Sequence, residues 1–508
     1  RSPAWHSGEH SVSEAPIDAR QEMKRGLWWM GAATVAMRVL DLVGSLAVLA
    51  YLSREQLGVA TLAWSLSVVL EAFNGLGVGT VVGRRRDLTH QELSGLFWFA
   101  TLLGVAVAAV VCLVSPWLAG FFQAPGLAPM IAVSATKLIF VSAALVPLQL
   151  LTRELRFKEA GAVQTLATLG EAITKVTLVV LGFGAWGLVI ANTARGAFLM
   201  LALLWLAPFR PQLTLALRST VHSIRFGLRV AAASIINQSC RNADFLLIGT
   251  VLGREVLGVY RVAFDLGMAP LEIVLNLVNR VQFPIYARLQ GQGDRLREAF
   301  VSSARSLVLV VGPVAALLTF GSQDLLQLVG GGRWLAAVPL VQILCWASLL
   351  RGLALLFPQL YLATGRPEFA LYDSLVVAIT LVGGFVLALG LAPAGSGSMW
   401  VAWVWLLSFP IALAVHFHLV RQCAPITPAL LGADIGKAAL GVGWLTLVLG
   451  VGSRLRPALG NPLASLAFLI ALGLGAYGLY LRRVLHLRPT DLLPGRASAL
   501  RVGDPLAR

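Results

Sequence analysis

The amino-acid sequence predicts an all-α integral membrane fold of about fourteen transmembrane helices: two parallel six-helix lobes followed by two C-terminal helices. Three observations predict it. The composition is too apolar for water, apolar runs of spanning length recur from Gly26 to Leu481, and a repeat is visible at an offset of 200 residues.

Of the 508 residues, 57% are hydrophobic and only 13% charged, with a mean hydropathy of +0.79. A soluble domain is about 25% charged. The formal net charge of +16 would suit a polyanion only if the basic residues shared one soluble surface. They sit instead in short loops between apolar runs, where retention of Lys and Arg on the cytoplasmic side accounts for the excess, so no nucleic-acid partner is expected. Cys112, Cys240, Cys345 and Cys423 lie in or beside apolar segments without paired spacing and read as free thiols. Residues 1–25 are polar and lack an apolar core with a cleavage site, so they read as a cytoplasmic tail and not as a signal peptide.

Helices satisfy their own backbone groups and cross hydrocarbon in about 20 residues. Apolar runs of that kind place spans at about 27–51, 57–82, 94–118, 129–151, 161–181, 186–207, 227–251, 256–281, 302–320, 336–362, 369–391, 398–419, 436–452 and 462–481. The loops test this count independently. Every second connection is basic, as in Arg84-Arg-Arg86, Arg153 with Arg156 and Lys158, Arg210 with Arg218 and Arg225, Arg288 with Arg295 and Arg297, and Arg482-Arg483. The intervening loops hold little, which predicts an even number of spans with both termini cytoplasmic.

The repeat aligns Leu52-Ser-Arg-Glu-Gln-Leu-Gly-Val59 with Leu252-Gly-Arg-Glu-Val-Leu-Gly-Val259, and over 52–66 eight of fifteen positions are identical. Six spans separate the copies. That number is even, so both halves enter the membrane in the same direction and the repeat is parallel. The resulting organisation is a tail over 1–25, an N-lobe over 26–208, a cytoplasmic linker over 209–225, a C-lobe over 226–420, two further helices over 421–483 and a cytoplasmic tail over 484–508.

Ionised groups near the bilayer centre cost at least about 2.5–3.5 kcal/mol and should face protein or a watery cavity. Arg38, Lys137, Arg241 and Arg351 are candidates for a cationic cavity that receives an anionic cargo. Asp41, Glu71, Asn237, Asn242, Asp244, Asp265, Glu272 and Asp373 are candidate polar or ion-coupling positions, with Glu171, Lys175, Arg195 and Arg305 as further misplaced charges. A blander reading pairs Arg38 with Asp41, Glu171 with Lys175 and Arg241 with Asp244 inside single helices, and it is favoured for Glu171 and Lys175. Arg195 and Arg305 could also snorkel to an interface.

Catalytic signatures are scarce. No phosphate loop, metal-spaced His set or nucleophile elbow is legible, so neither an enzyme nor a cofactor is expected. Gly330-Gly-Gly332 reads as a loop. His416 and His418 lie on different faces of a helix near its cytoplasmic end and suggest an interfacial role.

Several ordered stretches carry a family resemblance: Asp244-Phe-Leu-Leu-Ile-Gly-Thr-Val-Leu-Gly253 followed by Leu257-Gly-Val-Tyr260, Val281-Gln-Phe-Pro-Ile-Tyr-Ala-Arg-Leu289, Arg153-Glu-Leu-Arg-Phe-Lys158, Gly182-Phe-Gly-Ala-Trp-Gly-Leu188, Gly332-Arg-Trp334 with Ala337-Val-Pro339, and Ala363-Thr-Gly-Arg-Pro367. Over roughly 25–485 the chain resembles the multidrug/oligosaccharidyl-lipid/polysaccharide exporter superfamily, in its polysaccharide transporter branch of Wzx-type flippases. That resemblance implies two lobes in a V shape that open alternately to each face. It implies a bacterial inner-membrane flippase moving an undecaprenyl-pyrophosphate-linked oligosaccharide, with membrane lipids as surroundings and a polysaccharide polymerase and chain-length regulator as partners. A separate hypothesis is H+ or Na+ coupling that resets the lobes through Asp41, Asp265 or Glu272. A multidrug antiporter or a peptidoglycan-precursor flippase is the alternative on the same scaffold. A polytopic glycosyltransferase or polymerase is disfavoured, because such enzymes generally need a large external loop and the longest here are only about a dozen residues.

Overall fold

A computed structural model describes residues 41–71, 78–84, 88–124, 126–154, 156–207, 209–212, 238–423, 426 and 428–485. Among the described residues the regular elements are all helical. The N-lobe comprises α1 (41–49), α2 (Arg54–Glu71), α3 (Val78–Arg84), α4 (His90–Phe121), α5 (Leu127–Arg153), α6 (Phe157–Leu178) and α7 (Ala185–Leu206). The C-lobe comprises α8 (Ala243–Val251), α9 (Arg254–Arg288), α10 (Gly293–Gly330), α11 (Val338–Ala354), α12 (Leu356–Ala363), α13 (Pro367–Leu391) and α14 (Gly397–Val420). Two more long helices follow, α15 (Pro428–Ser453) and α16 (Pro462–Arg483), with a single helical turn at Arg456–Leu459 between them.

Nine helical segments among the described residues have the length and apolarity to cross a membrane, and the longest, Gly293–Ala363, contains two of the expected spans. The expected span 256–281 is the physically telling case. It falls inside α9, a 35-residue helix whose Arg261, Asp265 and Glu272 spoil its apolarity because they face the protein interior. The span expected over 57–82 is described in two parts, α2 to Glu71 and α3 from Val78, and its residues 72–77 lie outside the described residues. The span expected over 336–362 breaks at Leu355 into α11 and α12, and the one expected over 302–320 extends to 38 residues. At 1.5 Å per residue that helix is about 57 Å long and protrudes beyond a hydrocarbon core of about 30 Å.

Local chemistry sets several helix ends. Thr89 and Glu92 form a reciprocal capping box at the start of α4. Between α6 and α7 the chain makes a π-turn over Val179–Phe183, closed by Gly182 at φ 91° and Gly184 at φ 54°, conformations open to glycine because it has no Cβ.

Within the N-lobe α5 is central, packing on α2, α4 and α7; within the C-lobe α11 packs on α9, α10 and α14. The last two helices pack on each other and both on α10, where Tyr477 donates to the Leu309 carbonyl at 2.8 Å. Repeat helices α2 and α9 lie against one another across the lobes.

Among the described residues, the distribution of buried side chains differs between the two faces. One core joins both lobes, with Leu52, Leu57 and Leu62 in contact with the cluster of Phe245, Leu257, Tyr260 and Trp334. At the opposite face the lobes have separate cores: Val82, Phe97, Leu151 and Phe209 in one, Tyr286, Phe300, Phe357 and Tyr361 in the other. Among the described residues, the lobes therefore share a core at the face of the 52–53 and 252–253 loops and keep separate cores toward the face of the basic loops.

Candidate functional site

The joined face is held by a reciprocal clasp. Arg54 pairs with Glu255 at 3.3 Å and Arg254 with Glu55 at 3.1 Å, the matching arms of the two repeat copies. Arg54 Nε also donates to the Arg333 carbonyl at 2.8 Å, Arg333 Nη1 donates to the Leu52 carbonyl at 2.8 Å, and the buried Trp334 indole donates to the Leu49 carbonyl at 2.9 Å. The turn Gly331–Ala337 thereby satisfies carbonyls at the end of α1, which helix termini leave without intrahelical partners.

Below the clasp lies a cavity of ≈ 360 Å³ between the lobes, lined by α1, α2, α6 and α7 on one side and α9 on the other, with Ser134 of α5. Among the described residues seven charged side chains line it: Asp41, Glu171, Asp265 and Glu272, and Lys175, Arg195 and Arg261. Each of the three bases meets a carboxylate. Lys175 Nζ lies 3.3 Å from Asp41 Oδ1 and 3.2 Å from Ser45 Oγ. Arg195 Nη1 lies 3.1 Å from Glu171 Oε2, while Asn192 Nδ2 donates to Glu171 Oε1 at 3.0 Å. Arg261 Nε donates to Asp265 Oδ2 at 2.8 Å, and its guanidinium stacks over the Trp64 ring at 4.2 Å. Among the described residues the lining is thus charge-mixed and pre-paired. Removal of two charges from water demands such pairing. Arginine forks, a lysine, hydroxyls and an indole face are together suited to phosphate and sugar hydroxyls.

Of the residues singled out from sequence, Asp41, Asp265 and Glu272 line the cavity. Arg38 and Asn237 lie outside the described residues. Lys137 is buried within the N-lobe, 2.7 Å from Glu71, and neither lines the cavity. Arg241 is exposed and also absent from the lining. Arg351 sits one layer behind the wall, with Nη1 3.8 Å from the sulfur of the lining Met268 and its guanidinium 5.2 Å from the Trp405 ring centre. Asp244 is fully buried and accepts from Tyr260 Oη at 2.8 Å, Trp405 Nε1 at 3.1 Å and the Phe245 N–H at 2.9 Å. Its side-chain partners come from α9 and α14, and not from Arg241 as the blander reading had it. Asn242 is buried and donates to the Gln238 carbonyl at 2.9 Å.

Asp373 lies 3.0 Å from His416 Nε2, and His416 Nδ1 is 3.1 Å from Tyr361 Oη. His416 is buried and stacks on Phe357 at 4.5 Å, so the interfacial role expected for it gives way to a core position. The reason is that α12 and α13 close over the face of α14 that carries it. The Glu171–Lys175 pairing expected within one helix is likewise replaced by cross-helix pairs to Arg195 and Asp41. Arg261 was not among the sequence candidates. The signals available were its place four residues before Asp265 and its alignment, through the repeat, with Thr61, which also lines the cavity.

Comparison with known proteins identifies the family. A family model described as polysaccharide biosynthesis protein matches residues 48–339, more than half the chain. The chain belongs to the polysaccharide biosynthesis protein family. The match takes in both repeat copies and every charged residue of the cavity except Asp41. Among similar proteins in this setting is the lipopolysaccharide biosynthesis protein WzxC of Escherichia coli, 26% identical over 70% of this chain and 72% of its own length. Teichuronic acid biosynthesis protein TuaB of Bacillus subtilis is 25% identical over 89% of this chain and 95% of its own. Succinoglycan biosynthesis transport protein ExoT of Rhizobium meliloti is 22% identical over 76% and 77%. In fold, the chain is similar to the lipid II flippase MurJ in an inward closed conformation, with a TM-score of 0.72 at 12% identity over 90% of this chain and 99% of that one. It is also similar to an inward-facing multidrug resistance MATE transporter, with a TM-score of 0.62 at 15% identity over 78% and 98%. The family member described here is a multi-pass all-α membrane protein on that scaffold.

Proposed function

We propose that this chain is a flippase that moves undecaprenyl-pyrophosphate-linked oligosaccharide repeat units from the cytoplasmic to the external leaflet of a bacterial inner membrane. The product would feed assembly of a surface polysaccharide such as O-antigen, capsule or exopolysaccharide. One observation carries the reading: a charged cavity lies between two repeat-related lobes that are clasped at one face and, among the described residues, have separate cores at the other. That geometry suits alternating access to a polar headgroup, while a prenyl tail stays in lipid and no bond is broken. Membership of a family described as polysaccharide biosynthesis protein supports a polysaccharide precursor as the cargo. The clasped face is then external, both termini are cytoplasmic, and the separated lobes admit cargo from inside. Translocation is the chain's own work, and covalent chemistry on the sugars falls to separate polymerase and chain-length-regulating partners. H+ or Na+ could reset the lobes through Asp41, Asp265 or Glu272.

A peptidoglycan-precursor flippase is the second reading, favoured by the fold shared with MurJ. A drug antiporter extruding cations finds some acidic groups here, but the four cavity carboxylates are largely engaged with bases. The test is export of a fluorescently labelled lipid-linked oligosaccharide by purified protein in proteoliposomes. Translocation dependent on the chain and weakened by Arg195→Ala or Arg261→Ala supports the proposal. Flipping of lipid II alone would transfer it to the second reading, and flipping of neither would reject both.

A further inference from the structure

The cavity poses an electrostatic problem for an anionic cargo. Each base of its described lining is already engaged: Lys175 with Asp41, Arg195 with Glu171 and Arg261 with Asp265. A pyrophosphate diester carries two ionised oxygens. Added to the cavity as it stands, it would meet repulsion at low dielectric, where like charges interact strongly. A buried base, conversely, cannot be left alone in the empty protein, because an uncompensated charge is costly.

We infer that the cavity carboxylates are internal stand-ins for the cargo's phosphates, occupying the bases when the carrier is empty and displaced from them when cargo enters. The inference rests on the lipid-pyrophosphate reading above. Two features of the pairs fit exchange. They are single-point contacts of 3.3, 3.1 and 2.8 Å, not doubly bonded forks, so each guanidinium keeps donors for an incoming oxygen. Among the described residues, moreover, Arg195 Nε is buried with no hydrogen-bond partner. The pairs are also distributed across the lobes, with Lys175 and Arg195 on the N-lobe and Arg261 on the C-lobe. A cargo that replaces them would bridge the lobes, and its departure returns each base to a partner on its own lobe. The empty carrier can then close and return without stranding a charge.

The consequence is counterintuitive for a residue lining a binding site: removing a carboxylate should tighten binding and slow the cycle. Purified full-length protein is titrated with farnesyl pyrophosphate and, in parallel, inorganic pyrophosphate, using wild type, Asp265→Asn, Glu171→Gln and the double variant Arg261→Ala with Asp265→Asn. Expected are about three- to tenfold lower dissociation constants in both single variants for both probes. Loss of the Asp265→Asn gain when Arg261 is absent, and reduced export of surface glycan in cells, are also expected. Equal or weaker binding by both single variants at wild-type insertion and melting temperature would overturn the inference. A gain for farnesyl pyrophosphate without one for inorganic pyrophosphate would overturn it too, because the exchange is then not at phosphate. No binding of either probe by any protein would reject the phosphate-cargo reading itself, and this inference with it.

Discussion

Gly58 and Gly258, equivalent positions of the two repeat copies, meet at the crossing of α2 and α9. A Cβ on Gly58 would fall 1.8 Å from the Arg254 carbonyl oxygen, and one on Gly258 would fall 2.0 Å from the Arg54 carbonyl oxygen and 3.2 Å from the Gly58 nitrogen. Each helix thus rests its glycine on the first residue of the other, the close approach that small residues permit between membrane helices. The side chains of those same first turns form the reciprocal clasp, so a twofold-like contact at backbone level carries a twofold-like pair of ion contacts above it.

Alanine at either glycine must push one helix off the other's backbone. Gly58→Ala and Gly258→Ala are each expected to cost at least about 1–3 kcal/mol, the usual penalty of overpacking, and to open the clasped face. Thermal unfolding of the purified protein and maleimide labelling of a cysteine placed at Leu52 check this. An unchanged melting temperature with Leu52→Cys still protected would refute it.

The clasp arms are partly exposed, at 32% for Arg54 and 67% for Glu255, and such pairs contribute only about 0–1 kcal/mol. Arg54→Glu should therefore slow export a few-fold without abolishing insertion, and Glu255→Arg added to it should recover part of the loss. Recovery stays incomplete because Arg54 also holds the Arg333 carbonyl. A double variant no better than the single one argues against the pairing.

Lys137 and Glu71 are expected to behave as a structural unit of the N-lobe. Removal of one partner from a buried pair costs about 3–5 kcal/mol, whereas joint replacement by apolar groups can be neutral. Lys137→Ala should reduce the amount of folded protein, and Lys137→Met with Glu71→Leu should restore both folding and export. If the restored double variant is fully folded yet inactive, Lys137 has a role in transport.

Arg351 and Arg261 separate the wall from what stands behind it. Arg261→Ala should abolish export with near-normal insertion, because its guanidinium faces the cavity. Arg351→Ala should act mainly on stability, through the lost contacts to Met268 and Trp405. Export assays paired with melting curves distinguish the two; the reverse pattern would place cargo against Arg351.

Orientation is open to cysteine mapping in a background lacking Cys112, Cys240, Cys345 and Cys423. Cysteines at Gln123 and Ser396 should label from outside, and those at Thr89 and Arg156 only from inside. External labelling at Thr89 would invert the assignment of the clasped face.

Linear information was enough for much of this architecture. Apolar runs of spanning length, a basic loop at every second turn and the match of Leu52–Val59 to Leu252–Val259 are all local or periodic signals, and they fix an all-helical membrane protein with a parallel repeat. The Arg261–Asp265 pair was also within reach, because four residues apart on a helix are neighbours. By the same rule Glu171 and Lys175 should pair, yet they turn to Arg195 and Asp41, from other helices. The spacing permits a contact; only the packing of α1 and α7 beside α6 decides which partner lies closer. His416 shows the same limit, since burial comes from α12 and α13 closing over it. What the sequence by itself determined, then, is that charges lie within the membrane and that the halves are related. Which charges face a shared cavity, and that each base there already has a carboxylate, was decided by tertiary structure, because electrostatic pairing depends on distance in space and not along the chain.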